Sequence, residues 1–197
     1  MRELETVGAV RVESVGKREK PTIVYDDANF TRAHEYSKAI RSAANKMVRQ
    51  GVDAERMLDL YYKTHLFDAP HFFDSFCIYI EKDRAPEKQF YLPRRKQLKR
   101  CADAIQGMED GKYHTVGISL APGVGKTTLA EFGLAWTSGR NPFLGNLVGS
   151  HNNSFLTGMY GEMLRILDPI GEYKWSDVFP GLAVIATNAK DMMIGIG

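Results

Sequence analysis

Val116-Gly-Ile-Ser-Leu-Ala-Pro-Gly-Val-Gly-Lys-Thr-Thr-Leu-Ala130 is the stretch that decides the fold. It begins in an apolar run of strand length, Thr115–Leu120, and ends in the opening of an amphipathic helix predicted over Thr127–Trp136. Between them stand Ala121, Pro122, Gly123, Val124, Gly125, Lys126, Thr127 and Thr128. Such a loop is a phosphate cradle. Gly123 and Gly125 let the backbone make a concave turn, with amides pointing inward and no Cβ in the way. The helix start turns its partial positive charge toward the same point. Lys126 is expected to bridge the β and γ oxygens of a nucleoside triphosphate, and it is the catalytic residue this loop offers. The Thr127 hydroxyl is expected to ligate Mg²⁺, and Thr128 to donate to the α-phosphate. ATP and Mg²⁺ are therefore the expected cofactors. The complete loop pattern asks for glycine six residues before the lysine, where this chain has Leu120. The strand before and the helix after carry the assignment.

Downstream, Gly139 and Pro142 stop the helix, and Leu144–Gly149 reads as a second strand. A helix follows from about Asn152 to Leu167, with Leu156, Met159, Met163, Leu164 and Leu167 on one face. Leu182–Ala186 is a third run of strand length. Strand, helix, strand, helix, strand predicts an α/β fold: a P-loop NTPase core with a parallel sheet and flanking helices, over residues 89–197.

Upstream, Arg94–Met108 reads as a helix closed by Gly111, and Pro86 and Pro93 suggest a boundary near residue 88. Residues 26–88 form a helical N-terminal region. Its first helix is capped by Asp26 or Asp27, with Phe30, Ala33, Ser37, Ile40, Ala44, Met47 and Val48 as its apolar face and Gly51 at its end. A second helix covers Asp53–Tyr62. A third, aromatic one covers Pro70–Glu81, with Phe72, Phe73, Phe76, Cys77 and Ile80 expected in the core. Residues 1–25 read as a charged, loosely ordered arm with a short strand at Thr22–Tyr25.

Apolar residues make up 44% and charged residues 25%, the balance of a soluble globular chain. No apolar run approaches the ~18 residues of a membrane span, and the N-terminus lacks a secretory signal. Cys77 and Cys101 lack metal-ligand spacing and read as free thiols of a reducing cytoplasm. The net charge of +2 gives no whole-molecule signature of nucleic-acid binding. Basic charge is local, at Arg94, Arg95, Lys96, Lys99 and Arg100, and at Lys17, Arg18 and Lys20. His65 and His71 flank Asp68 without a further ligand. His151, Asn152 and Asn153 follow the second strand, where a helix cap outweighs a phosphate sensor.

The run Gly117–Phe132 resembles the variant Walker A loop of phage terminase large subunits, which often carries Pro-Arg-His-Gly-Lys-Ser, with its proline at Pro122. The resemblance continues through Leu134-Ala-Trp, Gly139-Arg-Asn-Pro, Gly149-Ser150, Leu164-Arg-Ile-Leu, Tyr173 and Val178-Phe-Pro180, and covers Leu92 to Pro180. It implies the ATPase portion of a viral DNA-packaging motor that drives double-stranded DNA into a capsid. It also implies partnership with a portal protein and a small terminase subunit, a homo-oligomer free of membrane, and work in the cytoplasm of an infected bacterium. Gln97, within Tyr91-Leu-Pro-Arg-Arg-Lys-Gln97, is implied as the adenine contact. Two departures stand out. Gly123 occupies the place of the family's loop arginine, so an arginine finger would come from elsewhere. No apolar run after Lys126 ends in Asp-Glu, because Leu182–Ala186 runs into Thr187-Asn188. A Walker B strand, and the nuclease domain of such proteins, are therefore expected beyond residue 197, with residues 1–197 binding nucleotide without turning it over. An AAA-plus type loader, a small kinase and a non-hydrolysing nucleotide binder are the other readings.

Overall fold

The computed structural model describes residues 4–7, 10–13 and 28–197, with side chains from residue 31 onward. The Thr22–Tyr25 strand, the Asp26 and Asp27 caps, Phe30's packing and the Lys17–Lys20 cluster lie outside that set.

Two strands, β1 (Leu4–Val7) and β2 (Val10–Glu13), fall in the segment read as a loosely ordered arm. They form an antiparallel ladder, and β2 pairs antiparallel with β3 (Thr115–Ile118), Val12 opposite Val116. The period-two alternation of Val10 and Val12 with Arg11 and Glu13 is the local signal for it.

Helix α1 (Ala28–Arg49) ends at Gly51, which has φ +77°. Helix α2 (Ala54–Asp68) starts at Asp53, whose carboxylate accepts the Arg56 N–H at 3.2 Å, and outruns its predicted end at Tyr62. The two lie against each other through a line of α1 that differs from the predicted one. Ser37 and Ala44 are buried, whereas Ile40, Met47 and Val48 are exposed. Asp68, fully buried, is the cause. It draws in Arg41 at 2.6 Å and His34 at 2.9 Å, and so turns α1's polar residues inward.

Helix α3 (Phe73–Tyr79) supplies the aromatic core, with Phe73, Phe76 and Cys77 fully buried. A single 3₁₀ turn at Pro86–Lys88 leads into α4 (Tyr91–Glu109), which takes Pro93 in its first turn, where the missing N–H costs nothing. Beyond β3 follow α5 (Lys126–Arg140), α6 (Asn153–Leu167), the short α7 (Trp175–Val178), and a hairpin of β4 (Val184–Asn188) and β5 (Met193–Ile196). One apolar core crosses residue 88. Phe73 packs on Trp136 with ring centroids 5.3 Å apart, and the Trp136 indole donates to the Ala69 carbonyl at 2.9 Å. Tyr173, Val178 and Phe179, which carry the downstream resemblance, are buried on the other side of α5, and beside them the Trp175 indole donates to the Ala135 carbonyl at 2.8 Å.

The chain thus mixes helix and strand as expected, but among the described residues its pairings are antiparallel, and no parallel P-loop sheet is shown. Leu144–Gly149 is no strand, and β4 pairs with β5. Gly145, Asn146 and Gly149, half of the run, are poor strand formers. The Asn146 side chain donates to Ser138 Oγ at 3.0 Å on the last turn of α5, and Leu147 is 98% exposed. The edge of β3 opposite β2 faces a groove of about 990 Å³ whose far wall is that same run. No described helix is long and apolar enough to cross a membrane.

Candidate phosphate-binding site

Strand β3 delivers the chain to Ser119, and the loop turns back into α5 at Lys126. Two residues make that turn in conformations that disfavour side chains, Gly123 at φ +79° and Gly125 at φ +98°. Gly125 stands at the helix's N-cap position, so no side chain caps the first amides of α5. Uncapped amides of this kind can receive an anion.

The Lys126 ammonium folds back over the loop and donates to the carbonyls of Leu120 at 2.6 Å and Ala121 at 3.1 Å. These bonds fix the charge at the loop's mouth, and they rest on main-chain acceptors that phosphate oxygens can replace. Ala121, Pro122 and Gly123 are exposed, and Val124 through Thr128 half-buried. Thr127 and Thr128 lie in the first turn of α5, the placement needed for a hydroxyl that meets a cation or phosphate. The residues therefore suit a triphosphate with Mg²⁺ held through Thr127. Among the described residues, no three His, Cys, Asp or Glu side chains gather to hold a metal.

Gln97 lies exposed on the second turn of α4, in line with Arg94 and Phe90 at helical spacings of three and four. The Phe90 end of that line touches the loop. A Cβ on Gly125 would meet Phe90 Cε2 at 2.1 Å. Much of the basic run beside Gln97 is neutralised within the chain. Arg95 forms a two-pronged bond to Asp74 at 2.8 and 3.0 Å, Lys99 pairs with Asp103, and Arg94 donates to the Phe90 carbonyl.

Other residues have structural partners. Asn152 caps α6 by accepting the Ser154 N–H at 2.8 Å, and His151 is exposed beside it. His65 stands 3.1 Å from Ser75, and burial lowers its pKa to about 3. Asn188 accepts the amides of Lys190 and Asp191 in the β4–β5 turn, so the end of β4 is occupied by turn chemistry. On α5 itself, Glu131 is buried, and the apolar surroundings together with the Glu162 charge push its pKa up to about 7.

Sequence reasoning misses two residues that support the loop: Phe90, which touches it, and Glu81, at the end of the predicted aromatic helix, which accepts the Phe90 amide. The aromatic immediately ahead of a helix start is the one clue the sequence holds for Phe90.

Compared with protein-family models, curated proteins and solved structures, the chain matches none.

Proposed function

We propose that this chain binds a nucleoside triphosphate at Ala121–Thr128 and forms the ATP-binding part of a viral DNA-packaging motor of the terminase large subunit kind. The observation that carries the binding step is the loop itself. Two left-handed glycines, an uncapped helix start and a lysine ammonium lying over the loop carbonyls converge on one point. In this reading the amides following Gly123 and the first turn of α5 hold the β-phosphate, and Lys126 moves from Leu120 to the β and γ oxygens. Thr127 would hold Mg²⁺, which when bound would supply charge neutralisation at the phosphates. Gln97 faces the base from α4. A completed parallel sheet belongs to the same proposal: Leu144–Gly149 would enter the groove along β3's open edge once Asn146 releases Ser138.

Support for the motor reading is the ordered resemblance from Leu92 to Pro180, of which Tyr173 packs on Phe132 and Phe179 on Gly139 of α5. Double-stranded DNA, a portal protein, a small terminase subunit and further copies of the chain are the proposed partners, in the cytoplasm of an infected bacterium. Calorimetric titration of ATP tests the binding step: the wild-type chain should bind and Lys126→Ala should show no heat, while unchanged affinity in that variant would remove the loop from the site. Reading the gene beyond codon 197 tests the motor. An apolar strand ending in Asp-Glu followed by an acidic nuclease-like domain supports it, and a different downstream architecture favours the AAA-plus loader.

A further inference from the structure

Glu81 is 2% exposed, and a carboxylate so placed survives only with strong donors. It has four hydrogen bonds. Its two oxygens each accept the Phe90 amide at 3.0 Å, one also accepts the Tyr91 amide at 2.8 Å, and Arg84 donates at 2.9 Å. The Phe90 and Tyr91 amides belong to the start of α4, where helical partners are lacking, so Glu81 caps that helix from ten residues away. The cap sets the backbone of residue 90. Its ring is then held edge-on by Phe132, centroids 5.7 Å apart at 87°, with the Arg94 guanidinium over it at 5.6 Å. The remaining edge reaches Gly125. All three atoms nearest to a Cβ built there belong to the Phe90 ring, at 2.1, 2.8 and 3.2 Å. A half-buried aromatic thus leans on the main chain of the loop's last glycine, one residue before Lys126.

We propose that Phe90, anchored by Glu81, is a positioning residue for the phosphate loop, propping the Gly125 peptide in the conformation that aims the next amides and Lys126 at an anion. This rests on the nucleotide-binding reading above. Without the prop, the loop must be ordered at the expense of binding, and affinity falls by about tenfold. The loss falls on the phosphates and is blind to the base.

The test compares the full chain with Phe90→Ala, Phe90→Leu and Glu81→Gln, titrated calorimetrically with ATP and with inorganic tripolyphosphate, well below each unfolding midpoint. Expected are equal losses for both ligands in Phe90→Ala, on the order of tenfold, with partial recovery in Phe90→Leu and a smaller parallel loss in Glu81→Gln. Unchanged affinities alongside a lowered midpoint would reduce Phe90 to core packing and overturn the proposal. A loss confined to ATP would make it a base contact and overturn it equally. A wild-type chain that takes up neither ligand would instead sink the nucleotide reading itself.

Discussion

Replacing Gly125 by alanine separates two costs that the structure sets side by side. At φ +98° and ψ 33° the backbone is unfavourable for any residue with a Cβ, which costs about 1–3 kcal/mol. The new methyl would also stand 2.1 Å from Phe90 Cε2, inside contact distance, against a ring that Phe132 and Arg94 hold in place. Overpacking of that kind adds about 1–3 kcal/mol. Gly123 provides the control, because it has φ +79° but nothing within 4 Å of a built Cβ. Gly123→Ala should therefore cost about 1–2 kcal/mol, and Gly125→Ala about 2–6. Urea unfolding of both variants, of Phe90→Ala and of the Phe90→Ala/Gly125→Ala double variant closes a cycle. The steric part should reappear as a coupling of about 1–3 kcal/mol, since removing the ring makes room for the methyl. A coupling within about 0.3 kcal/mol of zero would refute the contact between ring and loop.

Gln97→Ala should weaken ATP more than GTP in competition titrations, and equal losses would reject a base contact for that residue. Asp68→Ala strands Arg41 and the His34 ring against a buried apolar site, so it should cost about 3–5 kcal/mol in unfolding free energy. A loss below about 1 kcal/mol would show the clasp to be idle. Glu131 predicts a pH dependence. Its folded pKa of about 7 lies above its ordinary value of 4.5, so the folded state holds the proton more tightly. The resulting stability is present below the ordinary value and drains away as the pH rises through 7, by about 3 kcal/mol at most. Glu131→Gln should flatten that slope and unfold at a higher temperature than the wild type at pH 8. Parallel slopes in the two proteins would contradict it.

Local chemistry was legible where the residue alone determines it. The Asp53 and Asn152 caps, the stop at Gly51 and the glycine loop into α5 follow from single positions whose backbone needs are specific. The α3 aromatics were readable as core because large apolar side chains have few other places to go. Pairing between distant strands was not. Leu144–Gly149 has a strand's length and three apolar residues, yet Gly145, Asn146 and Gly149 are poor strand formers and the Asn146 side chain bonds to Ser138 of α5 instead. The α1 face was misplaced for a related reason: a buried Asp68 on the neighbouring helix outweighed apolar periodicity on α1. At the site, the loop residues were legible and their support was not. Phe90 reaches Gly125, and Glu81 reaches the Phe90 amide, only after the chain has turned between α3 and α4.

The two tryptophans of this chain are both tied to α5. Trp136 is part of that helix, and Trp175 donates its indole N–H to the helix's Ala135 carbonyl. Both are shielded from water. The intrinsic fluorescence of the folded protein is therefore a reading of one helix, the helix that Lys126 begins. On the proposed nucleotide reading, ligand capture at the loop would be read without a label by exciting the indoles, through their surroundings on α5.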